Sequence, residues 1–119
     1  MVVQDMEAAQ VAVLGSLLID PGVQQPLFAK VRPEDFMNQT NRLIFIAARD
    51  LFRAGDPVDA VTVRARVGQE YTSYLRQLMD TTPTSANWEI YAQIMGEQAA
   101  HARLRDLASK LLEQPTLED

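Results

Sequence analysis

The sequence predicts an all-α protein: a small orthogonal bundle of about five to six helices followed by one long C-terminal helix. Three observations carry this expectation. The stretch Asn41–Val63, NRLIFIAARDLFRAGDPVDAVTV, has the apolar period of a helix covered on several sides. No second alternating segment exists for the β-branched run Val61-Thr62-Val63 to pair with as a strand. The longest helical stretch runs from Ser85 to about Glu113, roughly 40 Å of helix, longer than a domain of this size is wide.

The first helix is expected over residues 5–19. Asp5 is placed to cap it, and Glu7 suits its positive end. Val11, Leu14 and Leu18, with Val13 and Leu17, supply the apolar face. Gly15 lies mid-helix at a cost of about 1 kcal/mol relative to alanine, which close approach of another helix would offset. Asp20-Pro21-Gly22 ends the element. Val23, Leu27, Phe28 and Val31 then indicate a helix that is short, kinked or begins near Pro26. Pro33 opens a single turn, Phe36 plugs the core, and Asn38 or Thr40 caps the next helix.

That next helix is expected to be the one the rest packs around. Leu43, Ala47, Leu51, Ile44, Ala48, Phe52 and Phe45 fill one arc of its wheel, and Arg42, Arg49 and Arg53 the other. Ile46 falls inside the arginine stripe. It is either a lone exposed apolar side chain or a contact point for another protein. Gly55 stops the helix and Asp56-Pro57 turns the chain. Asp59 caps a short helix over Ala60–Val67 that Gly68 closes; Thr72 or Ser73 starts another, with Tyr74, Leu75, Leu78 and Met79 inward.

Thr81–Ser85 is the clearest break in the chain. It divides a globular head, 1–84, from the long helix, 85–113, and a tail, 114–119, beginning at Gln114-Pro115. In the first half of the long helix Trp88, Ile90, Tyr91, Ile94 and Met95 share an arc that can close the core. In the second half Ala100, Leu104, Leu107 and Leu111 take over on another side, at the 4, 3, 4 spacing of a coiled-coil seam. This half either projects towards a helical partner or folds back on its own domain.

The chemistry is defined by what is missing. The 119 residues hold no cysteine and one histidine, His101, so neither a disulfide nor a zinc site is expected. The only lysines, Lys30 and Lys110, do not follow a phosphate-cradling glycine loop. Ser16 and Ser109 have no histidine at useful spacing, and Glu34-Asp35 reads as solvated carboxylate. No enzymatic activity is expected. No apolar run of about 18 residues spans a membrane and the acidic N-terminus is no secretory signal, so a cytoplasmic protein is the default. The net charge of −5 disfavours nucleic acid and favours protein partners. One segment, VTVRARVGQEYTSYLRQL, has the shape of a helix-turn-helix around Gly68 in which Tyr71, Thr72, Ser73 and Arg76 would face base edges; plain bundle structure is the alternative.

The ordered set of residues resembles a known family. Val13-Leu14-Gly15-Ser16-Leu17-Leu18, then Asp35-Phe36, Arg42-x-Ile44-Phe45, Leu51, Gly55, Pro57-Val58-Asp59 and Thr62, is similar to the N-terminal domain of bacterial replicative DNA helicases of the DnaB type. Tyr74-Leu75-x-x-Leu78, Thr82-Pro83-x-Ser85-x-Asn87 and Tyr91-Ala92 continue the pattern across roughly residues 6–112. The chain departs from the family at Ala8 and Gln10, where glutamates are usual, at Met37, often aromatic, and at Asn41, often histidine; these departures are expected to bear on surface contacts.

The resemblance implies an all-helical head whose long helix is the first arm of a helical hairpin. It implies that hairpins pair between subunits of a hexameric ring, and that the resulting collar docks primase and in some cases a helicase loader. It places ATP, Mg²⁺ and DNA translocation in a separate domain of the parent protein. On this reading Ala100, Leu104, Leu107 and Leu111 pair subunits, and Ile46 and Arg49 are candidates for partner contact. Two other readings stay open: the helix-turn-helix module, and a stand-alone regulator that binds a helicase from outside.

Overall fold

The structure, a computed structural model, describes the backbone of residues 2–113 and the side chains of residues 7–113. Six α-helices follow in order: α1 (Val2–Ile19), α2 (Gln24–Lys30), α3 (Gln39–Arg53), α4 (Ala60–Val67), α5 (Thr72–Asp80) and α6 (Trp88–Glu113). Short 3-10 turns at Pro21–Val23, Pro33–Asp35 and Gln69–Tyr71 join them, and the described residues contain no strand. The all-α expectation holds. α1 starts at Val2, ahead of the expected position; the proposed cap by the Asp5 side chain and the Gln114-Pro115 stop lie outside the described residues. No single described helix is long and apolar enough to cross a membrane.

The hub is α1, which packs against α3, α5 and α6, and not α3 as the sequence suggests. Val13, Leu14 and Leu17 are inaccessible, and Ala9, Gln10, Ser16 and Leu18 are buried as well, so this helix is covered nearly all round. Its polar and small residues disguise this in the sequence. The Ser16 hydroxyl returns a hydrogen bond to the Ala12 carbonyl at 2.7 Å, which lets it sit buried. At Asp20 the chain bends by 111° into the Pro21–Lys30 segment. Pro26 lies in the first turn of α2, where its missing N–H breaks no helical bond.

α3 carries the expected apolar arc, except that Leu43 is exposed. The Asn38 side chain caps it by accepting from the Asn41 N–H at 3.0 Å. At the other end Gly55 takes φ +81°, and the Gly55 and Asp56 N–H groups return to the Phe52 and Leu51 carbonyls at 3.1 and 3.0 Å. Phe36, Phe45, Phe28 and Phe52 form a chain of tilted rings 4.8–5.5 Å apart between α2 and α3. Asp59 and Thr62 cap α4 reciprocally, at 2.9 and 3.0 Å. Buried Gln24 ties the head together, donating to the carbonyls of Leu17 and Val58 at 3.1 and 2.9 Å.

Gln10 and Asn41, two of the departures from the family pattern, lie inside the core and bond to each other at 2.9 Å. They therefore bear on the core and not on surface contacts. Gln10 Oε1 also accepts from the Asn38 N–H at 3.3 Å, and the Tyr74 hydroxyl donates to Asn41 Oδ1. Three helices are thus joined by one polar network. Burial pushes the Tyr74 phenol above its ordinary range, against the bond to Asn41, which acts in the other direction.

Candidate functional site

α6 has two lives along its 26 residues. Trp88, Ala92, Met95 and Ala99 are its buried residues, at 4, 3, 4 spacing, so one narrow face closes the head. Ile90, Tyr91 and Ile94, expected in the same arc, are exposed instead. The wheel explains the difference: the narrow buried face includes the smaller residues Ala92 and Ala99, which carry little apolar weight, and the large isoleucines turn outward. Small residues let two helix axes approach closely, a signal that was available in the sequence.

Beyond Ala99 nothing on α6 is buried, and only Ala102 is half-covered. The helix is about 39 Å long at 1.5 Å per residue, and the molecule measures 58 × 26 × 26 Å. The second half therefore projects from the head; it does not fold back. Arg103 donates at the root of the projection to the Glu34 carbonyl at 3.4 Å, and an exposed Lys110–Asp106 pair at 3.2 Å lies one helical turn apart further out. The structure leaves Ala100 exposed, with Leu104, Leu107 and Leu111 at 65%, 55% and 60% of full exposure and Leu112 at 87%. An uncovered strip of this kind marks an association surface.

Ile46 and Arg49 sit one turn apart on α3, and both are half-buried. Arg49 Nε is buried without a hydrogen-bond partner among the described groups. Arg42, placed by the wheel on the same stripe, folds back to donate twice to the Phe36 carbonyl at 2.9 and 3.1 Å.

The two helices proposed to read DNA are present, as α4 and α5 around Gly68. Their side chains are differently occupied. Tyr71 packs against the core and the Thr72 hydroxyl donates to the Gln69 carbonyl at 2.7 Å, while Ser73 and Arg76 are exposed. Among the described residues no group of three or more histidine, aspartate or glutamate side chains could hold a metal ion.

This architecture has close relatives. The model of the DnaB-like helicase N-terminal domain matches residues 3–97. The chain is 37% identical over 115 residues to the replicative DNA helicase DnaB of Geobacillus stearothermophilus, covering 91% of this chain and 25% of the relative. It is 33% identical over 108 residues to the replicative DNA helicase DnaC of Bacillus subtilis, covering 85% of this chain and 24% of that one. The chain thus spans about a quarter of the length of these relatives. Among solved structures, the N-terminal domain of DnaB helicase from Mycobacterium tuberculosis superposes with a TM-score of 0.82 at 32% identity, over 89% of this chain and 81% of that one. Fold, sequence and extent agree, and the chain belongs to the DnaB-like helicase N-terminal domain family.

Proposed function

We infer that this chain is a non-catalytic assembly and docking domain of a replicative helicase. Its exposed α6 strip, Ala100, Leu104, Leu107 and Leu111, pairs subunits and so orients them in a ring. The paired domains then present a composite surface to primase, and in some cases to a helicase loader, with Ile46 and Arg49 as part of it. Direct DNA binding by the domain is weak, in keeping with its net charge of −5. ATP and Mg²⁺ chemistry belongs to another domain of the parent protein, which acts in the cytoplasm.

The observation that carries this reading is the projecting half of α6. Three leucines more than half exposed, at coiled-coil spacing, have no cover from the chain's own described residues. Sedimentation of the wild-type chain and Leu107→Asp at equal concentration tests it. The wild type is expected to associate and the variant to run as a lighter species. Equal masses for the two would remove the pairing role.

A further inference from the structure

The helix pair α4 and α5 encloses a groove that neither pairing nor the α3 contact residues use. The two helices pack on each other across the Gly68 turn, α4 also against α3 and α5 also against α1. Between them lies a half-open hollow of about 140 Å³. Its floor is apolar. Leu75 is buried there, Met79, one turn further along α5, is half-buried against the core, and Val61 of α4 stands at the edge, 64% exposed. A cavity of about 150 Å³ holds a benzene-sized group. The hollow therefore has room for one leucine or phenylalanine side chain.

Two arginines border it, one from each helix. Arg64 lies one turn on from Val61 and is half-buried, and Arg76 follows Leu75 and is exposed. Neither pairs with a carboxylate among the described residues. The acid at the start of α4, Asp59, is engaged as its cap and accepts from the Thr62 N–H at 2.9 Å. From Ala60 to Met79 the sequence carries three arginines and one glutamate, in a chain whose net charge is −5. This positive, partly apolar island on an acidic protein draws a partner of negative charge. The hydrocarbon floor decides which kind. Binding to phosphates needs a track of cations, and a sugar–phosphate backbone leaves an apolar hollow empty. Tyr71 packs against the core and the Thr72 hydroxyl is held by the Gln69 carbonyl, so neither is free to read a base. An acidic amphipathic helix uses both features at once: an apolar anchor enters the groove, and carboxylates meet the guanidinium forks.

We propose that the α4–α5 groove docks an acidic amphipathic helix of a partner protein, with one large aliphatic or aromatic side chain in the hollow and carboxylates a turn to either side on Arg64 and Arg76. The apolar anchor supplies affinity. The two arginines supply direction and exclude neutral or basic helices, because an unpaired guanidinium beside the anchor is left without its partner. This surface uses none of the residues assigned to subunit pairing and does not depend on it.

The test is fluorescence anisotropy on the 119-residue chain with a labelled, helix-favouring synthetic peptide that has one leucine flanked a turn away on each side by glutamate. Changes made in the peptide leave the protein as it is. Replacing the glutamates by glutamine is expected to weaken binding by about fivefold or more, and replacing the leucine by alanine by about tenfold. On the protein side, Arg64→Gln and Arg76→Gln should each weaken the acidic peptide by about fivefold and leave the glutamine peptide unchanged. Ala60→Phe, at the half-buried start of α4 on the wall of the hollow, fills it and should abolish binding of both peptides. Circular dichroism checks that each variant keeps its helix content, and sedimentation should show Arg64→Gln and Ala60→Phe associating as the wild type does. Failure of the acidic peptide to bind overturns the proposal, as does equal binding of the acidic and glutamine peptides. Binding that survives Ala60→Phe places the peptide elsewhere and overturns it too. A short random-sequence DNA duplex that binds more tightly than the peptide and is lost on Arg76→Gln overturns it in favour of nucleic acid. Variants that lose peptide binding and self-association together would show that the groove is no separate surface.

Discussion

Gly15 of α1 and Thr82, just past the end of α5, meet so closely that no side chain fits between them. A Cβ built on Gly15 would lie 2.6 Å from the Leu78 carbonyl oxygen, 2.5 Å from Thr82 Cβ, and closer still to the Thr82 hydroxyl. The Thr82 hydroxyl in turn donates to the Leu78 carbonyl at 2.8 Å, which fixes the far wall of the contact. Alanine at position 15 gains about 1 kcal/mol of helix propensity. It must also force α1 and α5 apart, at about 1–3 kcal/mol or more. The expected outcome for Gly15→Ala is a net loss of up to about 2 kcal/mol in urea unfolding. Thr82→Ala should not restore it, because the Leu78 carbonyl and the remaining Cβ still obstruct. A variant more stable than wild type by about 1 kcal/mol would show that the helices part without cost.

Asn41 holds the buried network together, since it bonds Gln10 and receives the Tyr74 hydroxyl. Asn41→Ala leaves Gln10 Oε1 with only the longer 3.3 Å bond from the Asn38 N–H, and leaves the Tyr74 hydroxyl without its acceptor. Weakening the bonding of Gln10 and stranding the half-buried Tyr74 hydroxyl is expected to cost about 1–3 kcal/mol on thermal or urea unfolding. Tyr74→Phe removes one donor and should cost about 1 kcal/mol. The double variant should lose less than the two single losses combined, because both act on one network. Strict additivity would mean that the bonds act independently.

Asp20 joins the two ends of the head. It accepts from the Ser85 hydroxyl at 2.6 Å and from the Gly22 N–H at 2.9 Å. The Ser85 bond first, then the Gly22 bond, hold its carboxyl below the usual aspartate range. A carboxyl depressed in the folded state adds stability above its unfolded value and loses it as pH falls through the folded one. The wild type should therefore lose stability on acidification below about pH 4. Ser85→Ala should lose less over the same interval, having less to lose. Chemical unfolding followed by circular dichroism at about pH 5, 4 and 3 compares the slopes, and parallel slopes would dismiss the Asp20–Ser85 link.

The readable parts of the sequence are those where a local rule acts alone. Asn38, Gly55, Asp59 and Gly68 each bound a helix as expected, because capping depends on a few neighbouring residues. Phe36 goes to the core by its size. What could not be read is which helix is most deeply buried. α1 hides Gln10 and Ser16 by giving each a hydrogen-bond partner, and one of those partners, Asn41, lies far along the chain. The leucines of the candidate interface are legible from spacing, and the structure leaves them exposed. Ile90 and Ile94 are exposed, not inward as expected, because the buried face of α6 runs along Trp88, Ala92, Met95 and Ala99, where two small residues carry little apolar weight.

The two faces of α6 should respond oppositely to substitution. Met95 is 1% exposed and fills the space between α6 and the head. Met95→Ala removes buried hydrocarbon and leaves a cavity, so a loss of about 2–4 kcal/mol is expected. Leu107 lies on the projecting half and touches no buried cluster of the described chain. Leu107→Asp should change the stability of the head by only about 0.5 kcal/mol, the size of the helix-propensity difference. Self-association should show the reverse order. Leu107→Asp should lower the sedimenting mass, while Met95→Ala should pair normally at temperatures where its head stays folded. Urea unfolding and sedimentation on the same two variants decide this together. If Leu107→Asp unfolds the head, the leucine strip is part of the core and the projection serves the fold. If it changes neither stability nor mass, the strip carries no pairing.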